Sequence, residues 1–168
     1  MAHDWSSAYL LQAFYDYKML RRIEIMADVE DAQKIYFLLK MGEKAAQSYL
    51  TDGHEAPVKD HFALPRFIKH ALKSDPLLRC RIKAKHKYSE FVKKIEKIEN
   101  YVTELHRLVA TSEKFANCEY PYRDTSGAIK VPSEEDFSVI GPSNAPLLRK
   151  YIGVFEMVFD ASGLRYSP

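Results

Sequence analysis

The sequence predicts an all-α fold, an antiparallel up-and-down helical bundle of about five helices with a long ordered loop before the last helix. Apolar residues recur at three- and four-residue steps in every major segment, which is the spacing of one helix face. Capping residues, prolines and glycines mark where these segments begin and end. The chain has 168 residues, 46% of them hydrophobic, enough for one core and too few for two ordinary domains. We therefore expect a single domain over residues 1–168.

The first two predicted helices cover residues 4–27 and 28–50. Asp4 is placed to cap the first helix, and the turn sequence at residues 51–53 closes the second. Gly42, with alanines nearby, would let another helix approach closely. The apolar faces consist of Tyr9, Leu10, Ala13, Phe14, Tyr17 and Leu20 in the first helix and of Ala32, Ile35, Tyr36, Leu39 and Ala46 in the second.

A short helix is predicted over residues 61–73 and a long one over residues 77–112. Pro76 suits the first helical position of the long helix, because its missing N–H would have no partner there. At 1.5 Å per residue the long helix would span roughly 50 Å. Its apolar pattern is weakest over residues 83–87, and a kink or a break is expected to fall there if the helix is not continuous.

Residues 113–143 gather prolines, glycines and aromatic residues without helical or strand periodicity. Loops of this length are uncommon in compact domains and usually have a function or pack over the surface. The last helix is predicted to start at Asn144, with Pro146 in its first turn, and to end at residues 161–163.

Positive charge is concentrated in one short stretch of the chain. Net charge is only +2, so no global field favours nucleic acid or anionic lipid. In residues 79–87, here called the basic segment, every second side chain is nevertheless cationic. On a helix these cations would be distributed around much of the circumference. Two interpretations stay open: a solvated charged segment, or a phosphate-binding patch. The cations are Arg79, Arg81, Lys83, Lys85 and Lys87.

Cysteine content and the N-terminal sequence indicate a cytoplasmic protein without a membrane span. Cys80 and Cys118 are the only cysteines, too few for a disulfide scaffold, and neither lies in a CxxC pair. No apolar run approaches the roughly 18 residues that a span requires. The first residues lack the basic and apolar blocks of a signal peptide.

Three stretches carry a resemblance to a known family. Residues 42–50 resemble its second-helix signature, in which an acid-Lys-Ala run is followed by a further small residue and a leucine. His61 and the apolar residues after it are similar to its short, histidine-led third helix. Residues 105–122 resemble its long helix, which runs into the dipeptide Tyr120-Pro121. In this order they resemble the HEPN domains of prokaryotes, helical bundles found beside nucleotidyltransferases or in toxin and defence systems.

The resemblance covers about residues 6–123 and implies a homodimer, a nucleotidyltransferase partner and a nucleotide or RNA ligand. An arginine commonly precedes the Tyr-Pro dipeptide in the family, whereas this chain has Glu119 there. The candidate nucleotide- or phosphate-binding residues, near the dipeptide and in the basic segment, are Tyr120, Pro121, Arg123, Lys83 and Lys85.

Arg81, His86 and Tyr88 match the Arg-x4-His-x-Tyr spacing of the ribonuclease motif in HEPN toxins. An arginine can hold the scissile phosphate while an imidazole moves a proton to or from a ribose oxygen. Residues five apart on a helix lie about 140° apart, so one chain would not place Arg81 and His86 as a close pair. The resemblance implies a dimer that pools two copies in one cleft. These three residues are the candidate catalytic set.

Three hypotheses for function follow. The first is a HEPN-like accessory module for nucleotide or RNA in a stress, defence or nucleotidyltransferase system, without established catalysis. The second is a metal-independent ribonuclease that acts through the Arg-x4-His motif across a dimer. The third is a non-enzymatic helical protein-interaction domain. The histidines have no helical ligand spacing such as HExxH, and no glycine loop cradles a phosphate, so neither a metal nor a cofactor is expected.

Overall fold

The structure, a computed structural model, describes residues 4–24, 26, 30–51, 63–71, 76–108, 122–123, 126–134 and 137–166. Its helices are α1 (Trp5–Ile23), α2 (Asp31–Thr51), α3 (Ala63–Arg66), α4 (Pro76–Lys85), α5 (Tyr88–Arg107) and α6 (Ala145–Ala161). A π-helical turn, Phe67–Ala71, directly continues α3. The predicted all-α class is confirmed. None of the helices within these ranges is long and apolar enough to cross a membrane.

Helix α1 begins where the sequence predicts, because Asp4 caps it: the backbone N–H of Ser7 donates to the Asp4 carboxylate at 2.6 Å. Helices α1 and α2 pack along their lengths. Ser6 contacts Ser48 at 3.3 Å between hydroxyl oxygens, while the Lys44 ammonium donates to Asp16 at 2.7 Å. The residue later in α1 contacts the residue earlier in α2, so the two helices run in opposite directions.

The stretch predicted as one long helix forms two helices. The described residues therefore contain six α-helices, where the sequence predicts about five. Helix α4 ends at Lys85 and α5 begins at Tyr88. The sequence explains the break: between the buried residues Ile82 and Phe91 no side chain is fully buried, and only Tyr88 packs partly against the core, so few core contacts favour a straight helix through this stretch.

Helices α5 and α6 also run in opposite directions. The Lys94 ammonium lies 3.8 Å from the Met157 sulfur, and the rings of Tyr101 and Tyr151 have centroids 6.1 Å apart. One continuous hydrophobic core receives side chains from all six helices and from residues 137 and 139. The complete up-and-down order and the single domain over residues 1–168 stay predictions.

One local prediction is wrong, and the predicted long loop contains structure that the sequence did not indicate. Tyr36 does not belong to the buried face of α2 but is exposed, because it lies about 160° around the helix from the buried Leu38. The Lys40 ammonium lies over its ring at 5.5 Å. The loop over 113–143 contains two short antiparallel strands, β1 (Tyr122–Arg123) and β2 (Ile129–Lys130). Strands of two residues are too short to show a period of two. Phe137 of the same loop is buried in the core, which ties its last part to the bundle.

Candidate functional site

Helix α4 carries most of the basic segment. It begins at Pro76, whose fixed φ suits the first turn of a helix. Leu78 and Ile82 are fully buried and hold α4 against the core, where it contacts α6. The cations of the segment are on the remaining faces and all are exposed: Arg79, Arg81, Lys83, Lys85 and Lys87. The sequence has no acidic residue between Pro76 and Ser89, so the segment contributes only positive charge.

The break between α4 and α5 is attached to the end of α6. The backbone N–H of His86 donates to Ile82 at 2.7 Å, which closes the last turn of α4. The Lys85 ammonium donates to the backbone carbonyl of Asp160 and lies 3.8 Å from its carboxylate. His86 Nε2 lies 3.2 Å from the other carboxylate oxygen of Asp160, without the angle of a hydrogen bond. Two consecutive residues at the break therefore face one acid.

A third basic side chain reaches Asp160 from the segment after α6. Gly163 has a φ of +81°, a conformation that favours glycine, and it lets the chain reverse after the helix. Arg165 then returns to Asp160, and its Nε donates to the carboxylate at 2.8 Å. The Arg165 hydrogen bond lowers the pKa of Asp160, and the charges of Lys85, Arg165 and His86 lower it further against a smaller opposing effect of burial. The carboxylate is therefore ionised at neutral pH.

A groove of about 370 Å³ opens beside this cluster. Its walls are the α4–α5 break with α5 on one side and α6 on the other. The basic and acidic residues that line it are His86, Lys87 and Lys94 together with Glu90, Glu156 and Asp160. Since three carboxylates face these basic groups, a phosphate is less favoured in the groove than on the outer surface of α4.

A second groove, of about 400 Å³, lies along another side of α6 and shares Glu156 and Asp160 with the first. Here the Tyr17 hydroxyl donates to the Glu156 carboxylate at 2.5 Å. Burial raises the pKa of Tyr17, and the hydrogen bond to Glu156 raises it further, so the phenol keeps its proton. This bond ties α1 to α6 and leaves Tyr17 unsuited to act as a base near neutral pH.

Tyr88 organises part of the basic segment. The guanidinium carbon of Arg79 lies 5.1 Å from the centroid of the Tyr88 ring, and the Lys83 ammonium lies 5.7 Å from it. Both distances are within the range of cation–π attraction. Arg79 and Lys83 are one helical turn apart, so the ring gathers two cations on one side of α4.

The three candidate catalytic residues thus have different surroundings. Arg81 is exposed on α4, His86 faces Asp160 at the break, and Tyr88 lies beneath Arg79 and Lys83. All three belong to the described residues, where no hydrogen bond or ring contact joins Arg81 to either of the others. Their catalytic role stays a prediction, and it requires the second copy that the motif implies.

The nucleotide-binding candidates divide into three groups. Tyr120 and Pro121 lie outside the described residues, as do His61 and Glu119 of the family resemblance. Arg123 belongs to β1, where it pairs with Ile129. Lys83 faces Tyr88 and Lys85 faces Asp160, so these two lie on the same helix with different partners.

Sequence reasoning missed Asp160 and Arg165, the residues that fix the position of the break. The pair lies at the predicted end of the last helix, and the glycine between them was a usable signal for a chain reversal. No local sequence pattern indicates that Asp160 contacts Lys85 and His86, because Lys85 and Asp160 are 75 positions apart. In the described part of the chain, no group of three or more potential ligand side chains lies close enough to hold a metal ion.

Comparison of the chain with models of protein families, with curated proteins and with solved structures found no match.

Proposed function

We propose that the chain is a cytoplasmic, HEPN-like accessory module that binds RNA through the basic segment, in a prokaryotic stress, defence or nucleotidyltransferase system, without needing catalysis. The observation that carries the proposal is the exposure of all five cations of the segment on a stretch that holds no acid. The proposal includes the homodimer and the nucleotidyltransferase partner that the family resemblance implies.

The distribution of charge favours RNA over a single nucleotide. Four of the cations spread over about 9 Å of α4, and Lys87 follows at the break. They point in several directions instead of meeting at one phosphate. Lys85 is already occupied by Asp160, whereas Arg79, Arg81 and Lys83 lie at the surface. A chain of phosphates can contact separated cations in succession.

The test is fluorescence anisotropy with a labelled single-stranded RNA over a series of salt concentrations. The triple variant Arg79→Gln, Arg81→Gln, Lys83→Gln should bind about tenfold more weakly or worse, and the slope of log affinity against log salt should fall by about 2, because three phosphate contacts are lost. The matched control removes three exposed cations elsewhere, by Lys69→Gln, Arg107→Gln and Arg149→Gln, and should retain most of the affinity.

Two results would contradict RNA binding by this segment. One is an unmodified protein that does not bind RNA even at about 50 mM salt, where phosphate contacts are strong. The other is an equal loss of affinity in the triple variant and in its control, which would mean that net charge alone governs the interaction.

The ribonuclease hypothesis is the second candidate, and one contact favours it. The Asp160 carboxylate lies 3.2 Å from His86 Nε2, so a rotation of the imidazole ring would form the carboxylate–histidine hydrogen bond that orients a histidine for proton transfer. Purified protein should then cleave RNA in the presence of EDTA. The variant His86→Ala should abolish cleavage, whereas His106→Ala on α5 should not. Cleavage that survives His86→Ala would exclude this mechanism.

A further inference from the structure

Exposed hydrophobic side chains are concentrated on α1. Seven large hydrophobic residues are exposed in the described part of the chain, and four of them belong to α1 or to the turn after it. Trp5 is 49% exposed, Tyr15 51%, Met19 40% and Met26 50%. Single exposed hydrophobic residues are ordinary, but a contiguous set indicates a surface that another molecule covers.

The four residues follow the spacing of a helix-pairing seam. Trp5, Met19 and Met26 are separated by multiples of seven residues, with Gln12 at the remaining position, and Tyr15 lies three residues after Gln12. Positions with this repeat form a stripe along one side of a helix. On α1 itself the stripe ends at Arg22, and Met26 lies three residues after the last residue of the helix. We call this stripe, with Ala8 and Arg22 at the positions equivalent to Tyr15, the α1 seam. It lies away from the side of α1 that contributes Ala13, Phe14, Tyr17 and Leu20 to the core, and the buried Ile23 borders it in the last turn.

We propose that the α1 seam packs antiparallel against the α1 seam of a second copy of this chain, around a two-fold axis at Tyr15. A two-fold interface uses the same patch on both subunits, so the seam must be complementary to itself when reversed. The seam meets this condition around Tyr15. Gln12 meets Met19 of the second copy, the small Ala8 meets the long Arg22, and Trp5 meets the turn after α1 that carries Met26. This inference rests on the homodimer in the proposed function, but not on RNA binding.

Charge selects the antiparallel arrangement. Helix α1 begins after the exposed acid Asp4 and ends with Arg21 and Arg22 in its last turn. Arg21 pairs with Glu24 at 2.8 Å, so Arg22 is the cation of the last turn that remains available to a partner, while the Lys18 ammonium lies over the Tyr15 ring at 5.5 Å. Antiparallel pairing places Asp4 of each copy near Arg22 of the other. Parallel pairing would bring the two Arg22 side chains together and the two Asp4 side chains together, which is unfavourable.

The size of the seam indicates a reversible dimer. Trp5 and Tyr15, each about half exposed, offer about 100 Å² apiece, and the whole seam offers less than the roughly 800 Å² per partner of a standard stable interface. The dimer should therefore form and dissociate within a measurable range of protein concentration. That property makes the interface testable without any ligand.

Sedimentation velocity across a concentration series, in the absence of RNA, is the first test. The unmodified protein should shift from monomer to dimer as its concentration rises. Tyr15→Glu places two carboxylates on the axis and should raise the dissociation constant about tenfold or more. The matched control is Ile129→Glu on β2, which is 65% exposed and should leave the dissociation constant unchanged. Circular dichroism confirms that both variants keep their helices.

Cross-linking locates the axis. With Cys80→Ser and Cys118→Ser as background, Tyr15→Cys should form a covalent dimer under an oxidant, because a residue on a two-fold axis lies next to itself, and Arg149→Cys should not. The inference is overturned if the protein stays monomeric, if Tyr15→Glu leaves the dimer intact, if Ile129→Glu dissociates it, or if Tyr15→Cys fails to cross-link. A dimer that persists while RNA binding fails would remove only the RNA part of the proposed function.

Discussion

The two ends of α6 are held in different ways. In its first half, Tyr151 is fully buried and its hydroxyl donates to the backbone carbonyl of Leu38 at 2.8 Å. That hydroxyl lies so close to Gly42 that a Cβ there would overlap it. In the last turn, Asp160 is partly exposed and is surrounded by Lys85, His86 and Arg165.

The difference separates the residues that hold the fold from those that position the candidate site. Close packing near Gly42 has no room for another methyl group, so the first half of α6 determines where the helix lies in the core. The charged contacts at Asp160 are partly solvated and individually weak, yet they attach the basic segment to the helix. Substitutions at the first end should change stability most, and those at the second should have small effects that depend on pH.

The largest effect is expected from Gly42→Ala. The added Cβ would overlap the Tyr151 hydroxyl and lie 2.9 Å from a Leu64 methyl carbon. Because neither neighbour is free to move in a packed core, the free energy of unfolding should fall by about 2 kcal/mol, measured by urea denaturation.

Gly153→Ala is the matched control, since Gly153 lies in α6 and a Cβ there would meet only the Lys94 ammonium at an ordinary 3.7 Å. Alanine favours a helix over glycine, so this change should raise stability by up to about 1 kcal/mol. Equal effects of the two substitutions would mean that helix propensity, and not the close approach at Gly42, governs this end of α6.

Much of the fold was predictable because its signals are local. The Asp4 cap, the small residue at Gly42 and the end of α6 near Gly163 are each encoded within a few residues, and the structure confirms all three. Helix α1 nevertheless ends at Ile23, before the predicted boundary at residue 27. Periodicity locates a helix better than it locates the end of one.

The candidate site was predictable only in part. The exposure of the basic segment follows from its composition, and the break at residues 86–87 lies within the stretch where the apolar pattern lapses. The partner of that break was not predictable, because Asp160 is one acid among many in the sequence and its contact with Lys85 depends on tertiary structure. The exposed α1 seam was indicated only by Tyr15, which lies off the main apolar face.

A smaller effect is expected from Tyr151→Phe, which keeps the packing and removes one buried hydrogen bond. The Tyr151 hydroxyl donates to Leu38 at 2.8 Å, so its loss should cost about 1 kcal/mol of unfolding free energy. The control is Tyr101→Phe: the Tyr101 hydroxyl is also buried, but no hydrogen-bond partner contacts it among the described residues. That change should be neutral or stabilising, and a larger loss for Tyr101→Phe than for Tyr151→Phe would contradict the structure here.

The smallest effect is expected from Asp160→Asn, which removes the charge at the other end of α6 and keeps the shape. Partly exposed ion pairs contribute little, so at pH 7 the variant should lose less than about 1 kcal/mol of unfolding free energy. The pKa of Asp160 is lowered in the folded protein from its ordinary value of 3.8, so its contribution is present above that value and is lost as the pH falls below it. Urea denaturation at pH 7 and near pH 3 should therefore show a difference in unfolding free energy between the two proteins that shrinks in acid.

The control is Glu104→Gln, in an exposed pair with Arg107 on α5, which should cost no more unfolding free energy than Asp160→Asn at pH 7. A difference for Asp160→Asn that grows in acid would mean that the carboxylate is not stabilised by the cations around it, and that the break is held by the backbone contact of Lys85 alone.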